Sequence, residues 1–111
     1  MTRTENLLSR LRAGEVFLAD GAIGTMLQSL GLEDGRLPES WIVERPDRVR
    51  ALHRSYVDAG SNLVLTCSLG GTRFRLVHEG LEHRVAEVNR RAAELAREAA
   101  GNGIFVAGDM G

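Results

Sequence analysis

The chain has 111 residues, 43% hydrophobic and 26% charged, a composition that suits one small globular domain and excludes wholesale disorder. Fourteen basic and fifteen acidic residues leave a net charge of −1, so nothing draws the chain toward nucleic acid or an anionic membrane. Every basic residue is arginine, and without a lysine these residues build neither a Walker-type phosphate loop nor a Schiff-base catalyst.

No apolar run reaches the roughly 20 residues of a membrane span. Met1 to Asn6 lacks the apolar core of a signal peptide. Cys67 is the single cysteine. It has no partner for an internal disulfide, cannot by itself build a multi-thiolate zinc site, and fits a reducing, cytoplasmic setting.

In chain order, Leu7, Leu8 and Leu11 recur at helical spacing after a Thr4 cap, and Gly14 ends that short helix. Val16-Phe17-Leu18-Ala19 is a continuous apolar run that predicts a strand buried on both faces, as in a parallel sheet. Turn residues Gly21 to Gly24 follow, then a brief helix over Thr25–Leu30 and a polar connection to Pro38. Pro46 and Asp47 open a helix with Val49, Leu52 and Tyr56 on one face, closed by Gly60. Leu63-Val64-Leu65-Thr66 predicts a second strand. The clearest periodic signal is the seam Leu81, Val85, Val88, Ala92, Leu95 and Ala99, followed by a third strand over Ile104–Ala107.

Short apolar strands separated by helices predict an α/β fold, a βαβαβ parallel unit with a short N-terminal helix. Parallel strands bring their C-terminal ends to one edge, which carries Asp20-Gly21, Thr66-Cys67-Ser68 and Gly108-Asp109. Ligands of α/β folds bind at that edge. At Asp20 two readings stand. Its carboxylate can take an amino group while the Gly21 and Ala22 amides hold a carboxylate, or it caps the helix that begins near Gly24. Cys67 reads as a ligand-facing thiol or as a small buried hydrophobe, and Asp109 as a binding carboxylate or a solvated end. His53, His78 and His83 lack ligand spacing and are expected on the surface or in satisfied helix positions. Arg73 and Arg75 fit a solvated helix face better than an anion site, and Trp41 reads as a packing anchor.

Taken as an ordered set, these motifs resemble the N-terminal part of the homocysteine S-methyltransferase family. Asp20-Gly21-Ala22-Ile23-Gly24-Thr25 resembles its DGAMGT-like opening. Pro38-Glu39-Ser40-Trp41 and then Pro46-Asp47, Leu52-His53, Tyr56 and Ala59-Gly60 follow the family order. Thr66-Cys67-Ser68-Leu69-Gly70-Gly71 resembles a strand end usually written TNTFGG or TNSFGG. Val85, Asn89, Ala92 and Leu95-Ala96-Arg97 resemble the helix after it, and Val106-Ala107-Gly108 the third strand.

The resemblance implies part of a (β/α)8 TIM barrel over residues 1–111, with homocysteine and Zn²⁺ at the C-terminal face. It implies that Asp20 helps bind the homocysteine amino group and that Gly21 and Ala22 contact its carboxylate, while strand order adds Thr66, Cys67 and Asp109 as pocket-lining candidates. A zinc-bound homocysteine thiolate then attacks an activated methyl group to give methionine. The family's zinc cysteines lie in later barrel units, and Cys67 occupies none of their positions. The chain is therefore expected to be inactive alone. Departures from the family pattern are Cys67 for asparagine, Leu69 for phenylalanine, Ile42 for an asparagine and Asp109 for a serine. They leave two alternatives: a corrinoid-linked methyltransferase with another acceptor, and a non-catalytic partial barrel that self-associates through open edges.

Overall fold

Thr2 and Glu5 open the first helix in the computed structural model, which describes residues 1–111. The Thr2 hydroxyl accepts from the Glu5 amide at 3.1 Å, and the Glu5 carboxylate accepts from the Thr2 amide at 3.2 Å. This reciprocal cap moves the helix start from the expected Thr4 to α1, Arg3–Arg12. Gly14, at φ +87°, turns the chain out of α1 in a left-handed conformation that a side chain would strain.

The predicted first strand is reduced to a single parallel bridge, Ala19 to Leu63. Leu18 is held by side chain as much as by ladder: its amide donates to Asn62 Oδ1 at 2.6 Å while its carbonyl accepts from Asn62 and Leu63. The expectation of burial on both faces also fails, since Val16 is 87% and Leu18 60% exposed. Nothing covers those side chains within these residues.

The remaining elements are α2 (Gly24–Ser29), α3 (Ser40–Glu44), α4 (Pro46–Asp58), β1 (Leu63–Leu65), α5 (Arg73–Leu76), a 3-10 turn over Val77–Glu79, α6 (Val85–Ala100) and β2 (Phe105–Ala107). Pro46 and Asp47 start α4 as expected, and Gly60, at φ +113°, follows its end. The helix of the strongest seam begins at Val85, four residues later than its first apolar member Leu81, which still packs on the core. Sequence reading leaves out α3 and the 3-10 turn and gives α5 only as a helix face for Arg73 and Arg75, since all three are too short to show a period.

The strands β1 and β2 pair in parallel with Leu63, Val64 and Leu65 opposite Phe105, Val106 and Ala107. The chain passes between them through α6, which packs on both strands and along α4. One core joins Leu27, Trp41, Leu52, Leu76 and Leu95 among the helices, and a second joins Val64 of β1 to Ala96 and Ala100 of α6. Each fully buried leucine there contributes about 1.5–3 kcal/mol relative to exposure. The end of the sheet opposite the predicted ligand edge is closed by Phe17 and Phe105, edge to face at 5.6 Å, with the Arg10 guanidinium over both rings.

His53 departs from expectation. His78 and His83 are exposed, but His53 is fully buried on α4 and neither ring nitrogen has a partner. Its neighbours Arg50 and Arg54 reach Glu98 and the Ala99 carbonyl, so α6 covers this stretch. Burial lowers its pKa from 6.5 to about 4. The unfolded chain takes a proton that the folded chain refuses, so stability falls as pH drops from 6.5 toward 4. The loss amounts to about 3 kcal/mol by linkage. Urea unfolding at stepped pH checks this: the fall is expected to flatten in His53→Leu, and an equally steep fall in that variant would contradict the assignment.

Candidate functional site

Asp20 joins the first segment to β1. Its amide donates to the Leu63 carbonyl at 3.0 Å, and its carboxylate accepts the Leu65 amide at 3.2 and 3.3 Å. It does not cap α2, whose N-terminus has no side-chain cap. A second join links β1 to β2: the Thr66 amide donates to the Ala107 carbonyl at 2.9 Å. Beyond the strands, the Thr66 and Ser68 hydroxyls bond each other at 2.5 Å, Ser68 donates to the Asp109 carbonyl at 2.8 Å, and the Asp109 amide donates to Thr66 Oγ1 at 3.0 Å. Asp109 is thereby fixed rather than frayed. All three strand ends meet at one edge.

That edge walls a cleft of about 640 Å³. Gly21, Thr66, Cys67 and Asp109 line it, while Asp20 and Ala22 flank Gly21 without lining it. The Gly21–Ala22 turn is set by Tyr56 of α4, whose hydroxyl donates to the Ala22 carbonyl at 2.7 Å. A Cβ at position 21 would stand 3.2 Å from that hydroxyl, so the close approach favours glycine. The Gly21 and Ala22 amides donate to no acceptor in the chain. They remain available to an anion.

Glu39 and Arg75 also line the cleft; sequence reading gives Glu39 no chemical role and weighs Arg75 only as an anion site less apt than a solvated helix face. Glu39 is buried, and its segment is positioned by Glu79, which accepts the Leu37 amide at 3.0 Å and Arg36 Nε at 2.9 Å. Arg75 lies on α5 with Arg73, both exposed as expected, but Arg75 also reaches the cleft. Asn89 on α6 donates to the Gly71 carbonyl at 2.7 Å and so pins the loop after β1. The signal for Tyr56 and Asn89 was present as position within the family-like motifs, but spacing alone read them as helix residues.

Burial dominates the electrostatics. It raises the Asp20 carboxyl, with nearby Asp109 pushing the same way against the Leu65 hydrogen bond. It raises the Glu39 carboxyl too. Burial and then the Glu39 charge drive the Cys67 thiol well above the usual range. Cys67 therefore stays a protonated, buried thiol, its Sγ 3.8 Å from Glu39 Oε2, and is no nucleophile. No three His, Cys, Asp or Glu side chains lie together as a metal-holding group. The residues present do not fit the zinc site that the resemblance implies, and zinc chemistry is not assigned to them.

The homocysteine S-methyltransferase family model matches residues 17–111. The chain belongs to that family. Among homocysteine S-methyltransferases it is 38% identical over 107 residues to the S-methylmethionine–homocysteine S-methyltransferase BHMT2 of Pongo abelii, covering 94% of this chain and 28% of that protein. It is 36% identical over 108 residues to betaine–homocysteine S-methyltransferase 1 of Danio rerio, covering 94% and 27%. The crystal structure of the homocysteine methyltransferase MmuM from Escherichia coli, in its metallated form, superposes with a TM-score of 0.78 at 30% identity, over 94% of this chain and 41% of that one. The chain thus spans about 28% of the length of the curated relatives it matches. The short parallel sheet with its helices is part of an α/β barrel of this family.

Within that family fold the Glu39 carboxylate is packed directly on Gly70, where any Cβ would run into Oε1. Gly70→Ala is expected to cost about 1–3 kcal/mol by forcing this contact apart. Glu39→Gln is expected to act oppositely in the ligand-free chain. The folded state favours the protonated acid, so the carboxyl destabilises as pH rises past its ordinary range, and the amide escapes that. Thermal melts at pH 7 and pH 4 check this: the gain belongs at pH 7, and a larger gain at pH 4 would reverse the argument.

Proposed function

We propose that the cleft holds the amino-acid head group of homocysteine and presents its sulfur for methyl transfer by the whole protein. The observation that carries this reading is one turn in which the half-buried Asp20 carboxylate stands beside two uncommitted amides, Gly21 and Ala22. A carboxylate next to free N–H groups complements an α-ammonium next to an α-carboxylate. Asp20 takes the ammonium and the two amides take the carboxylate, with Tyr56 fixing the turn between them.

Holding the head group converts an encounter of two solutes into an oriented reaction, and orientation is the work these residues do. The sulfur attacks an activated methyl carbon in line. The S–C bond forms as the donor leaves with its electron pair, and loss of the thiol proton yields methionine. Relatives whose names specify S-methylmethionine and betaine support a small activated donor.

Asp20→Asn tests the reading with little structural loss, since an amide oxygen can still accept the Leu65 amide. Homocysteine affinity, measured by calorimetry, is expected to fall about tenfold or more. Unchanged affinity would remove Asp20 from the site.

Self-association is a second reading, favoured by one observation. The outer edge of β2 pairs with no strand, and Val16 and Leu18 stand exposed on the opposite segment. The 111-residue chain is expected to elute as an oligomer or aggregate on size-exclusion chromatography and to melt without a sharp transition. A monomer with a cooperative melt would count against it.

A further inference from the structure

Glu39 is the only buried acidic residue of the chain, and it takes part in no ion pair. The chain's close arginine–acid pairs lie on carboxylates elsewhere, such as Glu44, Glu79 and Glu98. Glu39 instead meets the backbone at Gly70 and the thiol of Cys67 at 3.8 Å. A thiol is a weak donor, whereas the asparagine usual at this place in the family-like motif carries a strong one. A carboxylate removed from water without a charged partner is costly even where backbone amides bond it. Glu39 lines the cleft, so the missing partner can come from a bound molecule.

The position suits one chemical group. Gly21 and Glu39 border the same cleft, and the turn that begins at Gly21 touches Glu39's segment: a Cβ at Gly24 would lie 3.7 Å from Pro38 Cγ. An α-ammonium lies on the carbon that carries the α-carboxylate. A ligand anchored at the Gly21 and Ala22 amides therefore keeps its cation close to that turn. We propose that Glu39 is a second anchor, beside Asp20, for the ammonium of an amino-acid ligand, made available because Cys67 leaves its carboxylate without a strong side-chain donor or a charged partner. This rests on the homocysteine reading above and adds a specificity residue to it. Burial raises the Glu39 carboxyl, and a neighbouring ammonium would favour its charged form.

The test is calorimetry on the protein at its natural length with two probes, L-homocysteine and 4-mercaptobutanoate, which lacks only the amino group. The wild type is expected to prefer homocysteine. Glu39→Gln is expected to bind homocysteine roughly ten- to a hundredfold more weakly while leaving 4-mercaptobutanoate unchanged or slightly tighter. Cys67→Asn, close in volume, is expected to reproduce that loss because its amide engages Glu39, and it carries the test alone should Glu39→Gln fail to fold. If both variants keep the wild-type preference for homocysteine, the inference is overturned and the homocysteine reading stands. Loss of preference in Glu39→Gln alone keeps the anchor and overturns the part given to Cys67. A wild type that binds both probes equally overturns the anchor and the ammonium role given to Asp20, and one that binds neither overturns the anchor and the homocysteine reading together.

Discussion

Side chains, more than a strand ladder, hold the cleft together. The ladder proper is three residue pairs between β1 and β2, plus one bridge at Ala19. Asp20 extends it on one side by accepting the Leu65 amide, and the Thr66–Ser68 hydroxyl pair extends it on the other by gripping both polar groups of the Asp109 backbone. Each bond contributes only about 1 kcal/mol net. Their weight comes from location, because they close the backbone at the points where the chain leaves the sheet. Asp20 thus joins the strand ends through both its amide and its carboxylate.

The cleft gathers acid without gathering base. Asp20, Glu39 and Asp109 surround it or line it, and Arg75 is the one cation in the lining. Elsewhere the many arginines are spent on surface pairs and on aromatic faces, as with Arg48 over Trp41 and Arg10 over Phe17. Partly dehydrated carboxylates keep a local field that favours a cation.

Much of this was legible in the sequence. Glycine and proline marked the ends of α1, α4 and α6, and apolar runs marked β1 and β2, because those signals are local. The edge carrying Asp20, Thr66, Cys67 and Asp109 followed from strand order alone, and the tips do converge. What stayed hidden depended on long-range contact. Val16–Ala19 has the composition of a buried strand, yet only its last residue pairs, since Asn62 and Asp20 side chains replace the ladder. His53 looked like a polar helix residue, and only the packing of α6 shows it buried. Glu39 lay within a recognised motif, but its proximity to Cys67 and Gly70 joins positions far apart in the chain. No spacing rule carries that information.

The chain has one thiol, and it is sealed in the wall of the cleft, 1% exposed and held protonated. A thiol reagent can reach Cys67 only when the wall parts, so its labelling rate counts openings of that wall directly. Cys67 thus gives this polypeptide a chemical clock for breathing at the strand tips, with no engineered probe required.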